Sequence, residues 1–201
     1  MQIEELSEEI VRVCKNLRQT KLVNATHGNV SARIGNTMLI TPTGSDFDSI
    51  KAQDIVLMDI ESGEILSLGK PSKEYELHLL AYRNRPDINA VVHAHSPKTV
   101  ALSCLQIDDF DNIVPAYTLA FAIFTKHLPL VDYYKAGSLE LAQKSAEKLI
   151  DNNAVALKHH GIIVVSDSLK NALYRVEEIE ENAEIALCIG KKCHALDPDN
   201  L

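Results

Sequence analysis

Two histidines, His93 and His95, sit one residue apart in the apolar run VVHAHS, residues 91–96. In an extended strand, side chains two positions apart point to the same face, so both imidazoles would aim at one point. Buried side by side without partners they would be costly. A metal ion satisfies both, because neutral imidazole is a common zinc ligand. A His-x-His pair alone is more often a surface feature or a satisfied core pair, so a metal reading needs further ligands. The segment ALKHHGIIV supplies one. His159 and His160 are neighbours and would face opposite ways in extended chain, so at most one of them joins the pair. His160 precedes Gly161, where the backbone can turn or approach another strand closely. Glu74, in KPSKEYELH, would lie in the first turn of a helix, near its positive end. Three imidazoles and one exchangeable carboxylate compose a catalytic zinc site, with three fixed ligands and an open fourth position.

The elements that must hold these residues are legible in outline. Ile3, Leu6, Ile10, Val13, Cys14 and Leu17 recur at helical spacing, which predicts an amphipathic helix over residues 3–20. VSARI, a Gly35-Asn36 turn and TMLIT read as a hairpin, and IVLMDI and EILSL flank a second hairpin signal at Ser62-Gly63. Residues 73–83 read as a helix with Ser72 as N-cap, followed by the strand NAVVHAH. SPKTVALSCL reads as a helix capped by Ser96 with Pro97 at its first position. Residues 113–124 fit strand or helix, and LPLVDYY reads as extended. SLELAQKSAEKLI reads as a helix, AVALKHHGIIVV as one or two strands, and the chain from Ser168 to Gly190 as a long helix. Leu169, Leu173, Val176, Ile179, Ala183, Ala186 and Ile189 form the buried stripe of that last helix. Hairpins with interspersed and terminal helices point to an α/β sandwich on a mainly antiparallel sheet.

Composition bounds the function. A chain of 201 residues suits one domain, here residues 1–201, with one sizeable core. A net charge of −8 argues against a nucleic-acid surface, so a phosphate site would have to be local. None of Cys14, Cys104, Cys188 and Cys193 forms a C-x-x-C pair. Cys14 and Cys188 read as core thiols and Cys193 as a surface thiol, in a reducing compartment. The acidic N-terminus is unlike a signal peptide, and no apolar run reaches membrane-spanning length, so a cytoplasmic protein is expected.

HGNVS (27–31), TPTGS (41–45), KPSKE (70–74), VVHAHS (91–96) and KHHGIIV (158–164) together resemble the class II aldolase/adducin family, in that family's order and across nearly the whole chain. The resemblance implies an α/β/α sandwich with a central, mostly antiparallel sheet, assembled as a homotetramer with active sites between subunits. It implies a metal-dependent carbon–carbon lyase acting on a small phosphorylated sugar. The reaction would be retro-aldol cleavage of a ketose phosphate of the L-fuculose-1-phosphate type, giving dihydroxyacetone phosphate and a short aldehyde. On the matching motifs, His93, His95 and His160 become ligands of Zn2+, with Mn2+, Fe2+ or Co2+ as other occupants, and Glu74 becomes both acid/base and exchangeable fourth ligand. Gly28, Asn29, Thr43, Gly44 and Ser72 would hold the substrate phosphate. The physics of these residue types agrees: glycines let backbone N–H groups reach phosphate oxygens, and hydroxyls donate. Family aldolases commonly have Ser-Ser-Glu where this chain has Ser72-Lys73-Glu74. Lys73 instead resembles the decarboxylases of 3-oxo-tetronate 4-phosphates, where it would pair with a substrate carboxylate. VDYYKAGSLELA, residues 131–142, resembles the aldolases. The rival from another class is an adducin-like interaction module without chemistry, which would have no reason to retain the ligand set.

Overall fold

The computed structural model describes residues 2–189 and 193–200. Among these are seven strands, β1 (Asn29–Ile34), β2 (Thr37–Ile40), β3 (Val56–Asp59), β4 (Ala90–Ala94), β5 (Leu130–Val131), β6 (Ala154–Leu157) and β7 (Gly161–Ser166). Six α-helices accompany them: α1 (Ile3–Gln19), α2 (Tyr75–Asn84), α3 (Pro97–Ser103), α4 (Leu119–Phe124), α5 (Leu139–Leu149) and α6 (Leu169–Ile189). The strands form one sheet in the order β3-β2-β1-β4-β7-β6-β5, antiparallel throughout except for the β5–β6 pair. No helix among the described residues is long and apolar enough to cross a membrane.

Alternation along the central strands makes three layers. Ala90, Val92 and Ala94 of β4 and Ile162 and Val164 of β7 pack with α1, α3, α4 and α6. Val91 of β4 and Ile163 and Val165 of β7 pack on the other face with α2 and α5. Both faces are covered, so the central strands are apolar almost continuously rather than alternating with polar residues. His93 shares the face of Val91, two residues away, and therefore points toward α2.

Several sequence expectations are corrected. EILSL does not form a strand, and only Ile65 bridges to Met58. Beyond that bridge Leu68 is 97% exposed, so nothing rewards further pairing. LPLVDYY contributes only the two residues of β5 to the sheet, and part of the segment 113–124 becomes the short helix α4, capped by the Thr118 hydroxyl. The helix predicted from residue 73 begins at Tyr75, with Glu74 at the N-cap. Ser72 lies one turn earlier, where its hydroxyl accepts from Glu74 N at 3.2 Å and its carbonyl from Tyr75 N at 3.1 Å. The stripe of α6 is buried through Ala183, but Cys188 and Ile189 are exposed because the helix runs past the core. Gly190, in the predicted helix, lies outside the described residues.

Ser96 and Pro97 begin α3 as expected, but the Ser96 hydroxyl does not cap it and is buried without a partner. The capping group comes from α6. The Glu180 carboxylate accepts from Lys98 N at 2.8 Å and from Thr99 N and Thr99 Oγ1 at 3.0 Å each. A carboxylate at a helix start satisfies orphan donors and complements the helix dipole. Nearby, the buried Asn182 amide holds the irregular chain before α4, accepting from Tyr117 N and Thr118 N and donating to Pro115 O. Glu180→Ala strands three donors, so the free energy of unfolding should fall by about 2–3 kcal/mol, with Glu180→Gln milder. Urea titration at constant m-value measures this, and an unchanged midpoint in Glu180→Ala would remove the cap from the account.

Candidate active site

Three backbone features bring the ionisable residues together. His93 is in β4 and His95 lies just beyond its end, so the two-residue period aims both rings the same way. β6 and β7 pair up to Leu157↔Gly161, which leaves Lys158, His159 and His160 as a three-residue loop. His159 takes the left-handed conformation there (φ 57°) and its ring turns outward, with Nδ1 3.1 Å from Cys104 Sγ, while His160 turns inward. A Cβ on Gly161 would stand 2.2 Å from Ala94 O, so only glycine lets β7 start against the end of β4 and place His160 across from His95. Glu74 reaches in from the start of α2 on the other side.

The result is one tight group. Ligand-capable atoms of Glu74, His93, His95 and His160 all lie within 4.8 Å of one another. His93 Nε2 is 3.0 Å from His95 Nε2 and 3.3 Å from Glu74 Oε2, and His160 Nε2 is 3.4 Å from Glu74 Oε1. The three rings meet edge to face, with centroids 4.7–4.8 Å apart. His93 Nδ1 donates to Ile162 O at 2.8 Å, which leaves Nε2 facing the centre. A backbone carbonyl behind an imidazole is the usual device for orienting a metal-binding histidine. Glu74 Oε1 is buried with no hydrogen-bond partner, an arrangement that is expensive unless a cation completes it. The donor set therefore fits a divalent metal.

Electrostatics tell the same story. Burial alone would raise the Glu74 carboxyl, but the charges of His93 and His160 and hydrogen bonds from His93 and Asn29 outweigh it and hold the group well below its usual range. Burial lowers His93, yet the Glu74 carboxylate beside it wins, and the ring is raised above its ordinary 6.5. His95 is pushed down to about 3 and His160 to about 4, first by burial and then by His93. In the metal-free protein Glu74 thus favours the protonated form of His93, while burial favours the neutral forms of His95 and His160.

Above the group opens a cleft of about 430 Å³, lined by Thr26 to Asn29, Pro42 to Gly44, Ser72 to Glu74, His95, Ala136, Gly137 and His160. TPTGS and KPSKE, far apart in sequence, are zipped together here. Ser72 N donates to Thr41 O and Thr43 N to Lys70 O, each at 3.0 Å. Gly28 and Gly44 both take left-handed backbone (φ 81° and 70°), and Gly28 has no room for a Cβ, which would lie 2.9 Å from His93 O. Thr43, Gly44 and Lys73 are exposed on the rim, and Ser72 is buried. Asn29 is also buried, and its amide is engaged with Glu74 and His78. Sequence reasoning missed Ala136 and Gly137, although both lie in the VDYYKAGSLELA segment. A Cβ on Gly137 would stand 3.1 Å from Lys73 O, so this loop packs on the backbone beside Glu74. It also missed His27, whose ring stacks on His95 with centroids 5.0 Å apart. Tyr117 packs against the core and is not among the residues lining the cleft.

A three-layer sandwich carries this cluster at one end of its sheet, where four ligand-capable side chains face an open cleft. Residues 8–187 match the Class II Aldolase and Adducin N-terminal domain, and the chain belongs to that family. It is an aldolase-type lyase, similar to enzymes of two reactions. It is 37% identical to an L-fuculose phosphate aldolase of Methanocaldococcus jannaschii over 90% of this chain and 94% of that one. It is 39% identical to a 3-oxo-tetronate 4-phosphate decarboxylase of Escherichia coli over 93% of this chain and 88% of that one. The crystal structure of Escherichia coli YgbL, described as a candidate aldolase, epimerase or decarboxylase, superposes with a TM-score of 0.94 at 35% identity, covering 99% and 98% of the two chains.

An ion entering this cluster must displace the His93 proton. Zinc binding should release a proton at pH values below the raised His93 value, and affinity should fall as pH drops through it. Calorimetry in buffers of different ionisation enthalpy checks this, and pH-independent binding would contradict it. Metal content should collapse in His95→Ala and persist in His159→Asn, a residue that tolerates the left-handed backbone.

Proposed function

We propose that the protein is a divalent-metal-dependent lyase that cleaves a phosphorylated ketose of the L-fuculose-1-phosphate type by retro-aldol reaction, giving dihydroxyacetone phosphate and a short aldehyde. The observation that carries this reading is the convergence of Glu74, His93, His95 and His160 on the floor of a cleft rimmed by Gly28, Thr43, Gly44 and Ser72. His93, His95 and His160 would hold the ion, with Glu74 as the ligand that yields to substrate. Zinc suits the nitrogen-rich set, and manganese, iron(II) or cobalt(II) could occupy it. When bound, the ion supplies a Lewis acid for the negative charge that develops on substrate oxygens.

The remaining work falls to the chain. Gly28 and Gly44 let a phosphate approach the backbone, and the Thr43 and Ser72 hydroxyls and the second amide hydrogen of Asn29 donate to it. Lys73 adds a positive charge at the rim. The phosphate thus anchors one end of the substrate and sets carbon 3 beside Glu74. As the bond between carbons 3 and 4 breaks, a base takes the carbon 4 hydroxyl proton. A proton returns to carbon 3 through Glu74, whose carboxylate is protonated for that step and ends the cycle ionised as it began. In the reverse direction, the same carboxylate, which accepts from the Asn29 amide, removes it. The whole chain is read as one domain acting in the cytoplasm as a homotetramer with sites between subunits.

A second reading rests on Lys73, which stands next to Glu74 in sequence and is exposed on the cleft rim. On a 3-oxo-tetronate 4-phosphate the same floor would accept the charge left when carbon dioxide departs, and Lys73 would pair with the substrate carboxylate beforehand.

Glu74→Gln should keep the fold and phosphate affinity and lose roughly two to four orders of magnitude in kcat. Near-normal turnover would remove Glu74 from the mechanism. Lys73→Ser separates the two reactions when both substrate classes are assayed. If Lys73 binds phosphate, KM for ketose 1-phosphates rises with kcat near normal. If it binds a carboxylate, a charge-assisted hydrogen bond of about 1.5–3 kcal/mol is lost, and kcat/KM on oxo-acid phosphates falls about tenfold or more. Turnover of oxo-acids without cleavage of ketose phosphates would end the aldolase reading.

A further inference from the structure

Behind Glu74 and Asn29 the run of buried polar groups continues into His78, Ser31 and Tyr82, which neither reading uses. Asn29 Nδ2 donates to Glu74 Oε2 at 3.0 Å, and Asn29 Oδ1 lies 2.5 Å from His78 Nε2. His78 Nδ1 lies 2.6 Å from Ser31 Oγ, which lies 2.9 Å from the Tyr82 hydroxyl. His78 and Ser31 are fully buried, and Asn29 and Tyr82 are nearly so. The chain crosses from α2 to β1 and back, and Asn29 pairs with His93 in the neighbouring strand.

Chemistry fixes the direction of every bond. A carboxylate only accepts, so Asn29 must present its amide nitrogen to Glu74 and its carbonyl oxygen to His78. His78 Nε2 must then carry a hydrogen. Burial, reinforced by the charge of His93, pushes the His78 ring down to about 3, so the ring is neutral and Nδ1 is an acceptor. The Ser31 hydroxyl donates to Nδ1, which spends its one hydrogen. Tyr82, its phenol raised by burial and thus protonated, donates to Ser31.

We infer that His78 is a positioning residue for Glu74, held as the Nε2–H tautomer by Ser31 and Tyr82 so that a one-way run of donors ends on the Glu74 carboxylate through Asn29. The inference deepens the proposed function and rests on its assignment of Glu74. Aligned donors polarise one another, and the low local dielectric strengthens each bond. The run fixes the Asn29 amide plane, and with it the rotamer of Glu74 and the amide hydrogen that faces the cleft.

The test has two parts. Nitrogen-15 spectra of the histidine rings in metal-free protein, with His78 identified by its loss in His78→Gln, should show a neutral ring protonated on Nε2 at neutral pH. Ser31→Ala, which frees Nδ1, should add the other tautomer. In turnover, His78→Phe should lower kcat by roughly tenfold to a hundredfold with KM little changed, the usual scale for partners behind metal-site ligands. His78→Gln, whose amide N–H can still donate to Asn29, should recover most of that loss. A packing role alone predicts the reverse order, because Phe fills the ring's space better than Gln. An Nδ1–H tautomer or an imidazolium in the wild type would overturn the inference, as would full activity in His78→Phe. If His78→Phe does not fold, Ser31→Ala carries the test, and an unchanged ring spectrum there overturns it. The spectra need no substrate, so they stay separate from failure of the Glu74 assignment, which would show as full turnover in Glu74→Gln, and of the lyase reading, which would show as wild-type protein that turns over neither substrate class.

Discussion

The register of β4 between β1 and β7 is the constraint on which the site depends. Asn29 lies opposite His93 on one side and Ile163 opposite it on the other. A slip of one residue would turn His93 to the α6 face and bring Val92 to face α2. It would also part Asn29 from Glu74 and move His93 away from the Ile162 carbonyl. The sheet resists the slip because both of its faces are buried, so a shifted strand would exchange two fitted apolar surfaces at once. The glycines belong to the same constraint. Gly161 presses against Ala94 O and Gly28 against His93 O, so strand ends too close for any Cβ deliver the imidazoles.

Within that frame the protein keeps a carboxylate largely out of water. Desolvation is the largest single influence on Glu74 and acts against its ionised form. Surrounding donors reverse it: Asn29 and His93 bond to Oε2, while Oε1 is left without a partner. A buried acceptor with no partner is a cost, and such costs collect where a ligand is meant to arrive. The second buried carboxylate, Glu180, shows the contrast. Its oxygens are taken up by the α3 backbone and Thr99, so it anchors a helix and offers nothing to a ligand.

Much of this was legible in the sequence because two short-range rules suffice for it. The two-residue period predicts that His93 and His95 share a face, and glycine after histidine marks the close approach at Gly161. The layered α/β architecture follows from the order of periodic segments. What could not be read depends on contacts between distant residues. Ser96 looks like the cap of α3, but the cap is Glu180, more than eighty residues away. Thr43 and Ser72 come together through the bonds of Thr41 and Lys70, which no local pattern encodes. His78 lies four residues after Glu74 on one helix face, which marks it as a candidate to stand behind that carboxylate. Ser31 and Tyr82, however, look like ordinary strand and helix residues, and only the pairing of β1 with the face that α2 covers makes the three a network. Cys188 and Ile189 continue a helical stripe correctly, yet the core ends before them.

The division of the relatives between aldolase and decarboxylase follows from the same geometry. Both reactions break a carbon–carbon bond beside an oxygen-bearing carbon and leave negative charge on that oxygen, so both ask the same of the cluster on the floor. The place of the floor is set by strand register and by the glycines at the strand ends. The groups that become the departing fragments differ in charge, a neutral hydroxyl-bearing carbon that leaves as an aldehyde in one case and a carboxylate that leaves as carbon dioxide in the other. That difference is felt at the rim, where Lys73 and the loop through Ala136 and Gly137 stand on exposed backbone. Side chains there can change without disturbing the sheet. Under the proposed function, selection between the reactions falls to such rim residues, which is compatible with identities of 37% and 39% to enzymes of two activities.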